Sequence, residues 1–416
     1  MRVLVLDGNE NQAVACARSL ADADHLVSVG ADTAWSKAGW SRSCSDRFRY
    51  PSPQADAGAF VDRIAAEAAR EPGTLVLPMT ERTTLPLSSH RERVAAVGGR
   101  LVLPPHETLL RAFDKQQTTR LAESLGLSVP VTATISGEAD VRERSRGLRF
   151  PVIVKPRSSE ECVAGGPART TGAPLYARNE HELLRAWDRM SKRCSAALVQ
   201  EFTEGAGAGY FALMWNGEPR AEFAHRRLRD VRPTGSGSAL RVSVSAEGPV
   251  REQGLALLKA LKWHGVAMVE FRLRSDGTPV FLEVNGRFWT SLALAVHAGA
   301  DFPALLAELA EHGDIAPPGP YRVGVRCRWL LGDARHLVEV WRGAPAEFPG
   351  EFPGRWSTLA AVLTPVAGTH HDNFTVGDPW PELGDWIDFA LRRVPRRART
   401  GHHGEVWHAS GSLSHP

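Results

Sequence analysis

Short apolar runs alternate with longer amphipathic stretches over the first hundred residues. Val3–Leu6 reads as a buried strand, followed by Asp7-Gly8-Asn9 and a helix to about Leu20, and His25–Gly30 reads as a second strand. Ala57–Arg70 has helical spacing, Thr74–Met79 strand character, Glu81–Val97 helical spacing again, and Arg100–Leu103 forms one more strand. Such alternation with short links predicts a parallel sheet covered by helices on both faces. Pro78-Met79-Thr80-Glu81 joins a strand to a helix, where open sheets often hold ligands; it reads better as a plain helix start with Thr80 as the cap. The lone glycine of Asp7-Gly8-Asn9 is no dinucleotide fingerprint.

Pro104-Pro105 interrupts the pattern. His106–Ala112 and Asp114–Leu125 follow as helices, with Lys115 in a first turn where the helix dipole disfavours a cation. Phe150–Arg157 is a strand whose run Val152-Ile153-Val154 predicts that Lys155 emerges at its end. The next stretch, SSEECVAGGPARTTG, is polar and rich in Gly and Ser. Its amides suit phosphate oxygens, although GxxxxGK[ST] is absent and a surface hairpin tip fits as well. Glu180–Ser191 is a helix, and Ala196–Phe202 a strand leading into Thr203-Glu204-Gly205. Tyr210–Trp215 and Pro219–His225 make a hairpin about Asn216-Gly217, ending in the basic run His225–Arg229, an anion site or a solvated edge. Leu240–Val244 is a strand and Val250–Trp263 a helix; Phe288–Ala298 and Pro303–Glu311 are two more helices. Beyond Pro317-Pro318 the pattern weakens to a strand over Tyr321–Leu331, a Pro/Gly-rich stretch Gly343–Arg355 and a short helix Asp385–Arg393.

The chemistry concentrates between these regions. Val266–Leu273 and Pro279–Val284 are β-rich runs joined by Ser275-Asp276-Gly277-Thr278, a strong hairpin signal. Each run carries one carboxylate among apolar neighbours, Glu270 and Glu283, which a hairpin can set opposite each other. Asn285, two residues after Glu283, points to the same face. Two carboxylates about 4 Å apart repel by about 4 kcal/mol at an effective dielectric of about 20. A shared proton, a basic partner or a bound cation must offset this. Glu, Glu and an amide carbonyl are an all-oxygen set of the kind Mg²⁺ or Mn²⁺ prefers. The acids facing solvent, or paired with Arg272 and Arg287, fit the same residues.

Composition narrows the class. The chain has 416 residues, room for two or three domains, with 50 basic and 47 acidic side chains and 43% hydrophobic residues. A net charge of +3 gives no reason to expect nucleic acid or an anionic membrane as partner. No apolar run reaches a membrane span, and the N-terminus turns polar after Leu6, too soon for a signal peptide. Cys16, Cys44, Cys162, Cys194 and Cys327 are odd in number and without CxxC spacing, which argues against a disulfide framework and for a reducing cytoplasm. His402, His403 and His408 are too scattered for a metal site, and the arginines of the C-terminal tail read as solvated.

DKQQT (114–118), PVIVKP (151–156), VQEFTEG (199–205), HRRLRDVRPTGSGS (225–238) and VEFRL with FLEVNGRFW (269–289) occur in an order that resembles the ATP-grasp superfamily, in particular its carbamoyl-phosphate-synthase-like ligases, over about Met1 to Glu311. The resemblance implies a mixed α/β and α+β architecture. A Rossmann-like N-terminal domain (1–104) precedes a two-subdomain ATP-grasp domain (105–312, its lid about 130–200) and a C-terminal extension (313–416). It implies that Lys115 and Lys155 contact the α- and β-phosphates of ATP, and that Ser158 and Ser159 belong to a loop over the β- and γ-phosphates. Gln200, Glu201, Phe202 and Thr203 would be the adenine hinge, with Glu204 at the ribose. Glu270, Glu283 and Asn285 would hold Mg²⁺ or Mn²⁺, and Arg287 with Arg226 or Arg227 would stabilise the transferring phosphoryl group. The implied activity is ADP-forming ligation of a small-molecule carboxylate to an amine or amino acid through an acyl phosphate, in a cytoplasmic enzyme that is commonly a homodimer. Bicarbonate activation, or nucleotide binding without catalysis, are the alternatives of the same fold. Gly286 stands where proline is commoner in the family, and Glu160 and Glu161 lie in the phosphate loop, where acids are unfavourable.

Overall fold

The computed structural model describes residues 1–391 except 159, 162–168 and 171–173. Ser159, Cys162 and the C-terminal histidines of the sequence reading lie outside the described residues, as do the side chains of Glu160 and Glu161.

The opening alternation folds into a wholly parallel sheet. Strands β1 (Arg2–Val5), β2 (Leu26–Ala31), β3 (Asp46–Arg49) and β4 (Leu75–Leu77) stand in the order β3-β2-β1-β4. Alternation along β1 sends Val3 and Val5 to the face of helix α1 (Asn11–Asp22), whereas Leu4 and Leu6 pack on α2 (Ala57–Ala68) and α3 (Glu81–Ser89). Both faces are therefore buried, as the apolar runs require. Two expectations fail here. Glu81–Val97 is two helices, α3 and α4 (Arg91–Ala96), with a break at His90. The Ser88 and Ser89 hydroxyls donate to the carbonyls of Leu85 (2.9 Å) and Pro86 (3.1 Å), which competes with continuation of the helix. Arg100–Leu103 reaches the sheet only through one bridge, Leu75 to Arg100, because Pro104-Pro105 lacks the amides to extend a ladder.

After α5 (His106–Phe113) and α6 (Lys115–Ser124) comes a four-stranded antiparallel sheet. It contains β5 (Thr132–Ile135), β6 (Val152–Pro156), β9 (Leu175–Ala177) and β10 (Ala197–Glu201) in the order β5-β10-β6-β9. The two-residue strands β7 (Glu160–Glu161) and β8 (Arg169–Thr170) pair with each other beside it. Helices α7 (Glu138–Arg144) and α8 (Glu180–Ser191) cover one face. Val152 and Val154 point into that core, so Ile153 and Lys155 are left on the open face. Lys155 is thus an inward member of a strand, not a residue emerging at its end.

The largest sheet has the order β15-β14-β11-β12-β13-β16-β17. It is built from β11 (Ala206–Trp215), β12 (Glu218–Arg229), β13 (Leu240–Val244), β14 (Gly265–Leu273), β15 (Pro279–Asn285), β16 (Arg326–Arg328) and β17 (Thr369–His371). All pairs are antiparallel except β16 with β17. Helices α5, α6 and α9 (Gly248–Ala260) pack one face. The other face shares a continuous core with α1, α10 (Leu292–Ala298) and α11 (Phe302–His312), joining this sheet to the parallel one. The strand expected over Tyr321–Leu331 shrinks to Arg326–Arg328, and helices α12 (Leu330–Arg342) and α13 (Arg355–Leu363) follow where no helix was read. No single helix among the described residues is long and apolar enough to cross a membrane.

The last described element, α14 (Trp380–Leu391), and the segment before it are anchored to the N-terminal region. Arg18 on α1 pairs with Asp378 at 3.0 Å, and Lys37 pairs with Asp385 at 2.8 Å. Buried Asn11 donates to Asp372 at 3.3 Å, and Asp372 also pairs with buried Arg241 of β13. Glu382 sits in this cluster, its Oε1 accepting from the Trp386 indole at 2.7 Å. Burial raises its pKa from 4.5 to about 7, and the charges of Asp385 and Asp372 push the same way. The folded state therefore holds more protons than the unfolded one between pH 4.5 and 7, and stability falls as pH rises through that window. Glu382→Gln keeps the indole bond and removes the charge. It is expected to stabilise the protein by on the order of 2–3 kcal/mol at pH 8 and to change little at pH 4, read by denaturant titration at both pH values. Equal effects at the two pH values would refute a titrating Glu382.

Candidate functional site

The hairpin β14–β15 sets Glu270 directly opposite Glu283. A register shift follows at Glu270/Phe271, so Phe271 pairs with Phe281. Both acids face a cavity of about 660 Å³ between the lid-like β5–β10 sheet and the large sheet, a size typical of small-molecule sites. Cations from three other elements answer the acids. Arg227 of β12 reaches Glu270 Oε1 at 2.7 Å, and Lys115, opening α6, reaches Glu283 Oε2 at 3.4 Å. Lys155 of β6 faces both. Burial would raise the pKa of Glu283, but Lys115, Lys155 and the Asn285 amide outweigh it and hold the carboxyl at about 2. Burial takes Lys155 the other way, to about 8, with Lys115 adding to the fall and Glu283 and Glu270 opposing it.

Asn285 and Arg287 extend the constellation. The Asn285 amide donates to Glu283 Oε1 at 3.4 Å, and its carbonyl accepts from Arg287 at 3.1 Å. Residues 286–291 form a turn before α10, shorter at its start than the expected helix Phe288–Ala298, and this turn brings Trp289 and Ser291 to the cavity wall. Gly286 lies against Trp263, whose ring carbon would be 2.5 Å from any Cβ there. The glycine thus fits a tight contact between the turn and the core.

Gln200, Glu201, Phe202 and Thr203 also border the cavity. Gln200 donates to Thr132 at 2.8 Å, and the Glu201 carboxylate accepts from the Arg149 amide (2.8 Å) and guanidinium (3.2 Å). Three expected residues stand elsewhere. Arg226 is exposed because strand alternation sends His225 and Arg227 to the cavity face and Arg226 to the other. It lines an adjoining groove, as does Glu204. Ser158 follows β6 half-buried and is not among the residues bordering the cavity.

The cavity floor depends on a feature unread in the sequence, Gly205-Ala206-Gly207-Ala208-Gly209. Its period of two strips one face of β11 of side chains. A Cβ on Gly207 would stand 2.6 Å from Arg227 Cδ, and one on Gly209 would stand 2.6 Å from the Phe211 ring. Arg227 can lie flat across the strand only because Gly207 has no side chain.

The C-terminal end of the parallel sheet is wired toward the same place. Asp7, at φ 53°, accepts from the hydroxyls of Thr83 (2.6 Å) and Thr80 (3.0 Å) and from the Met79 amide (3.2 Å). Thr80 occupies the N-cap position of α3 but spends its hydroxyl on Asp7 instead of capping the helix. Burial raises the carboxyl pKa of Glu10, an effect opposed by Lys37, Arg82 and Arg287. Arg287 is the weakest of these influences on Glu10 and reaches Glu283 only through Asn285.

Glu270, Glu283 and Asn285 offer two carboxylates and one amide oxygen. No group of three or more His, Cys, Asp or Glu side chains suited to a metal occurs among the described residues. A hard divalent cation fits this oxygen set, provided that a phosphate ligand or water completes its shell.

No family model matches the chain. The D-alanine--D-alanine ligase of Nitrosospira multiformis is 24% identical over 200 residues, which span 45% of this chain and 59% of that protein. The biotin carboxylase domain of Hydrogenobacter thermophilus 2-oxoglutarate carboxylase, solved with MgADP and bicarbonate, superposes with a TM-score of 0.59 at 14% identity, covering 78% of this chain and 73% of that one. The L-amino acid ligase of Bacillus licheniformis superposes with a TM-score of 0.53 at 16% identity over 75% and 74% of the two chains.

A lysine lowered to about 8 makes anion binding pH-dependent. Affinity for sulfate as an anion probe, measured by calorimetry, is expected to fall about tenfold per pH unit above about pH 8 as Lys155 loses its proton, and Lys155→Arg should flatten that slope. A flat wild-type profile to pH 9.5 would place Lys155 outside the anion site.

Proposed function

The chain has the ATP-grasp fold, and from that premise we propose that it is an ATP-dependent ligase joining a carboxylate to an amine or amino acid through an acyl phosphate, with release of ADP and phosphate. One observation carries this reading. Lys115, Lys155, Arg227 and Arg287 stand with the opposed pair Glu270 and Glu283 in the lining of one cavity, which the strand-to-loop segment Gln200–Thr203 also lines. Four cations against two carboxylates leave an excess of positive charge suited to a polyphosphate.

Lys115 and Lys155 are proposed to hold the α- and β-phosphates, and Gln200–Thr203 the adenine. Glu270, Glu283 and Asn285 would hold Mg²⁺ or Mn²⁺, which when bound neutralises phosphate charge at the point of transfer. Arg227 and Lys115 pair with the acids, and each can exchange its carboxylate for a phosphate oxygen once the acids have another cation. Arg287, between Asn285 and the charged end of the parallel sheet, is positioned to orient the acceptor carboxylate and to stabilise charge on the transferring group. The ribose role expected of Glu204 and the phosphoryl role expected of Arg226 are not carried forward, since both face the adjoining groove.

The residues supply positioning and charge, which is what phosphoryl transfer to a carboxylate needs. A substrate carboxylate oxygen attacks the γ-phosphorus, ADP departs, and the amine then displaces phosphate from the acyl carbon. Ile153, Met268 and Trp289 line the cavity and help to exclude the water that would hydrolyse the acyl phosphate. The D-alanine--D-alanine ligase and L-amino acid ligase likenesses support an amine as the second substrate. The domain limits near residues 104 and 312 are part of the same proposal.

Hydroxylamine trapping tests the reading. Protein, Mg-ATP, hydroxylamine and pools of carboxylic and amino acids are expected to give hydroxamate with matching ADP. AMP in place of ADP would indicate adenylation and overturn the acyl phosphate. Glu283→Gln is expected to lower turnover on the order of 10²–10³-fold with an unchanged fold by circular dichroism; wild-type turnover in this variant would refute the metal assignment.

A further inference from the structure

The loop from Gly343 to Gly354 joins α12 to α13 and has no strand or helix of its own, a length at which ordered loops usually serve a function. It does not lie loosely on the surface. The Phe348 ring meets Tyr176 of β9 edge-on at 5.2 Å and Phe202, just past β10, at 6.0 Å. Tyr176 and Phe202 meet each other at 6.2 Å, which closes a three-ring cluster. Phe352 packs on Phe348 at 6.3 Å and itself borders the cavity. Gly350 lets the loop approach this closely, for a Cβ there would stand 2.9 Å from the Phe348 ring and 3.2 Å from that of Phe202. A turn with Phe348 N–H donating to Pro345 C=O at 3.0 Å fixes the ring's direction. Meanwhile Tyr176 Oη donates to Thr234 C=O at 2.7 Å, tying the cluster to the loop after β12.

The cluster therefore sits where the segment Gln200–Thr203 leaves its strand. Phe202 is the shared member: its amide donates to Pro151 C=O at 2.9 Å, its ring meets the loop, and the residue borders the cavity. All three rings are only half-buried, so each keeps apolar surface that a flat aromatic ligand can cover.

We propose that the loop Gly343–Phe352 forms one wall of the nucleobase site, with Phe352 facing the base and Phe348 acting as a positioning residue that fixes Phe202 and the adjoining backbone. This rests on the nucleotide-dependent reading above and assigns the C-terminal region a place in that site. The lid-like sheet, the large sheet and the C-terminal region then each contribute one side of the pocket. Because none of the rings belongs to the set of paired acids and cations, the loop contributes to nucleotide affinity and base selection, not to the transfer step.

Phe348→Ala and Phe348→Tyr, in the full chain, test this with ADP as the calorimetric probe. Phe348→Ala removes three ring contacts, to Tyr176, Phe202 and Phe352, and is expected to weaken ADP binding roughly tenfold. It should raise KM for ATP to the same extent and leave kcat within about twofold, the signature of lost binding common to ground and transition states. Phe348→Tyr retains the ring edge and should restore wild-type values. Wild-type ADP affinity in a Phe348→Ala protein with an unchanged melting midpoint would overturn the proposal, as would a fall in kcat at constant KM. If the wild-type protein itself binds no ADP, the ligase reading fails first; if it binds and Phe348→Ala binds equally, the ligase reading stands and the wall assignment falls.

Discussion

Two carboxylates held opposite each other on adjacent strands dominate the energetics of this protein. Glu270 and Glu283 cannot escape each other, because the ladder of β14 and β15 fixes their register and both point into a partly enclosed space of lowered dielectric. Cations must be brought to them. None comes from the hairpin's own strands: Arg227 arrives from β12, Lys115 from the first turn of α6, and Lys155 from the open face of β6. The depressed pKa of Glu283 and the depressed pKa of Lys155 are two sides of this one arrangement, burial acting on both and mutual attraction deciding the outcome for the acid.

Such an arrangement is only as good as the placement of separate sheets. The continuous core through α1, α10 and α11 joins the parallel sheet to the large one. The polar cluster of Arg18, Lys37, Asn11 and Arg241 with Asp372, Asp378 and Asp385 binds the C-terminal region to both. Buried ion pairs of this kind contribute little net stability against desolvation, yet breaking one leaves an uncompensated charge. They therefore define where the elements sit more than how strongly they are held. Glu382, raised to about 7 chiefly by its burial and further by Asp385 and Asp372, shows what placing a carboxylate inside this cluster costs.

Small residues matter as much as charged ones. Gly207 makes room for Arg227, and Gly350 lets the C-terminal loop reach Phe202. Each is a close approach of backbone to side chain that a methyl group would block. In both cases the glycine determines the position of a neighbour instead of making a contact itself.

Much of this was legible beforehand, for local reasons. The parallel alternation, the hairpin over Gly265–Asn285 and the pairing of its two acids follow from residue periodicity and one Asp-Gly turn, which act over a few residues. Helices Glu180–Ser191, capped by Asn179, and His106–Phe113, with its amphipathic spacing after Pro104-Pro105, were readable within a residue or so. The inward face of Lys155 was not, since a run such as Val152-Ile153-Val154 looks the same whether one face or both are buried. Nor was the choice between Arg226 and Arg227, which needs the register of β12, or the approach of Phe348 to Phe202, 146 positions earlier in the chain. The sequence by itself determined which chemistry the chain carries and on which local elements. Only the tertiary structure decided which charges meet and which rings share a wall, because those contacts join residues far apart in the chain and leave no periodic trace within it.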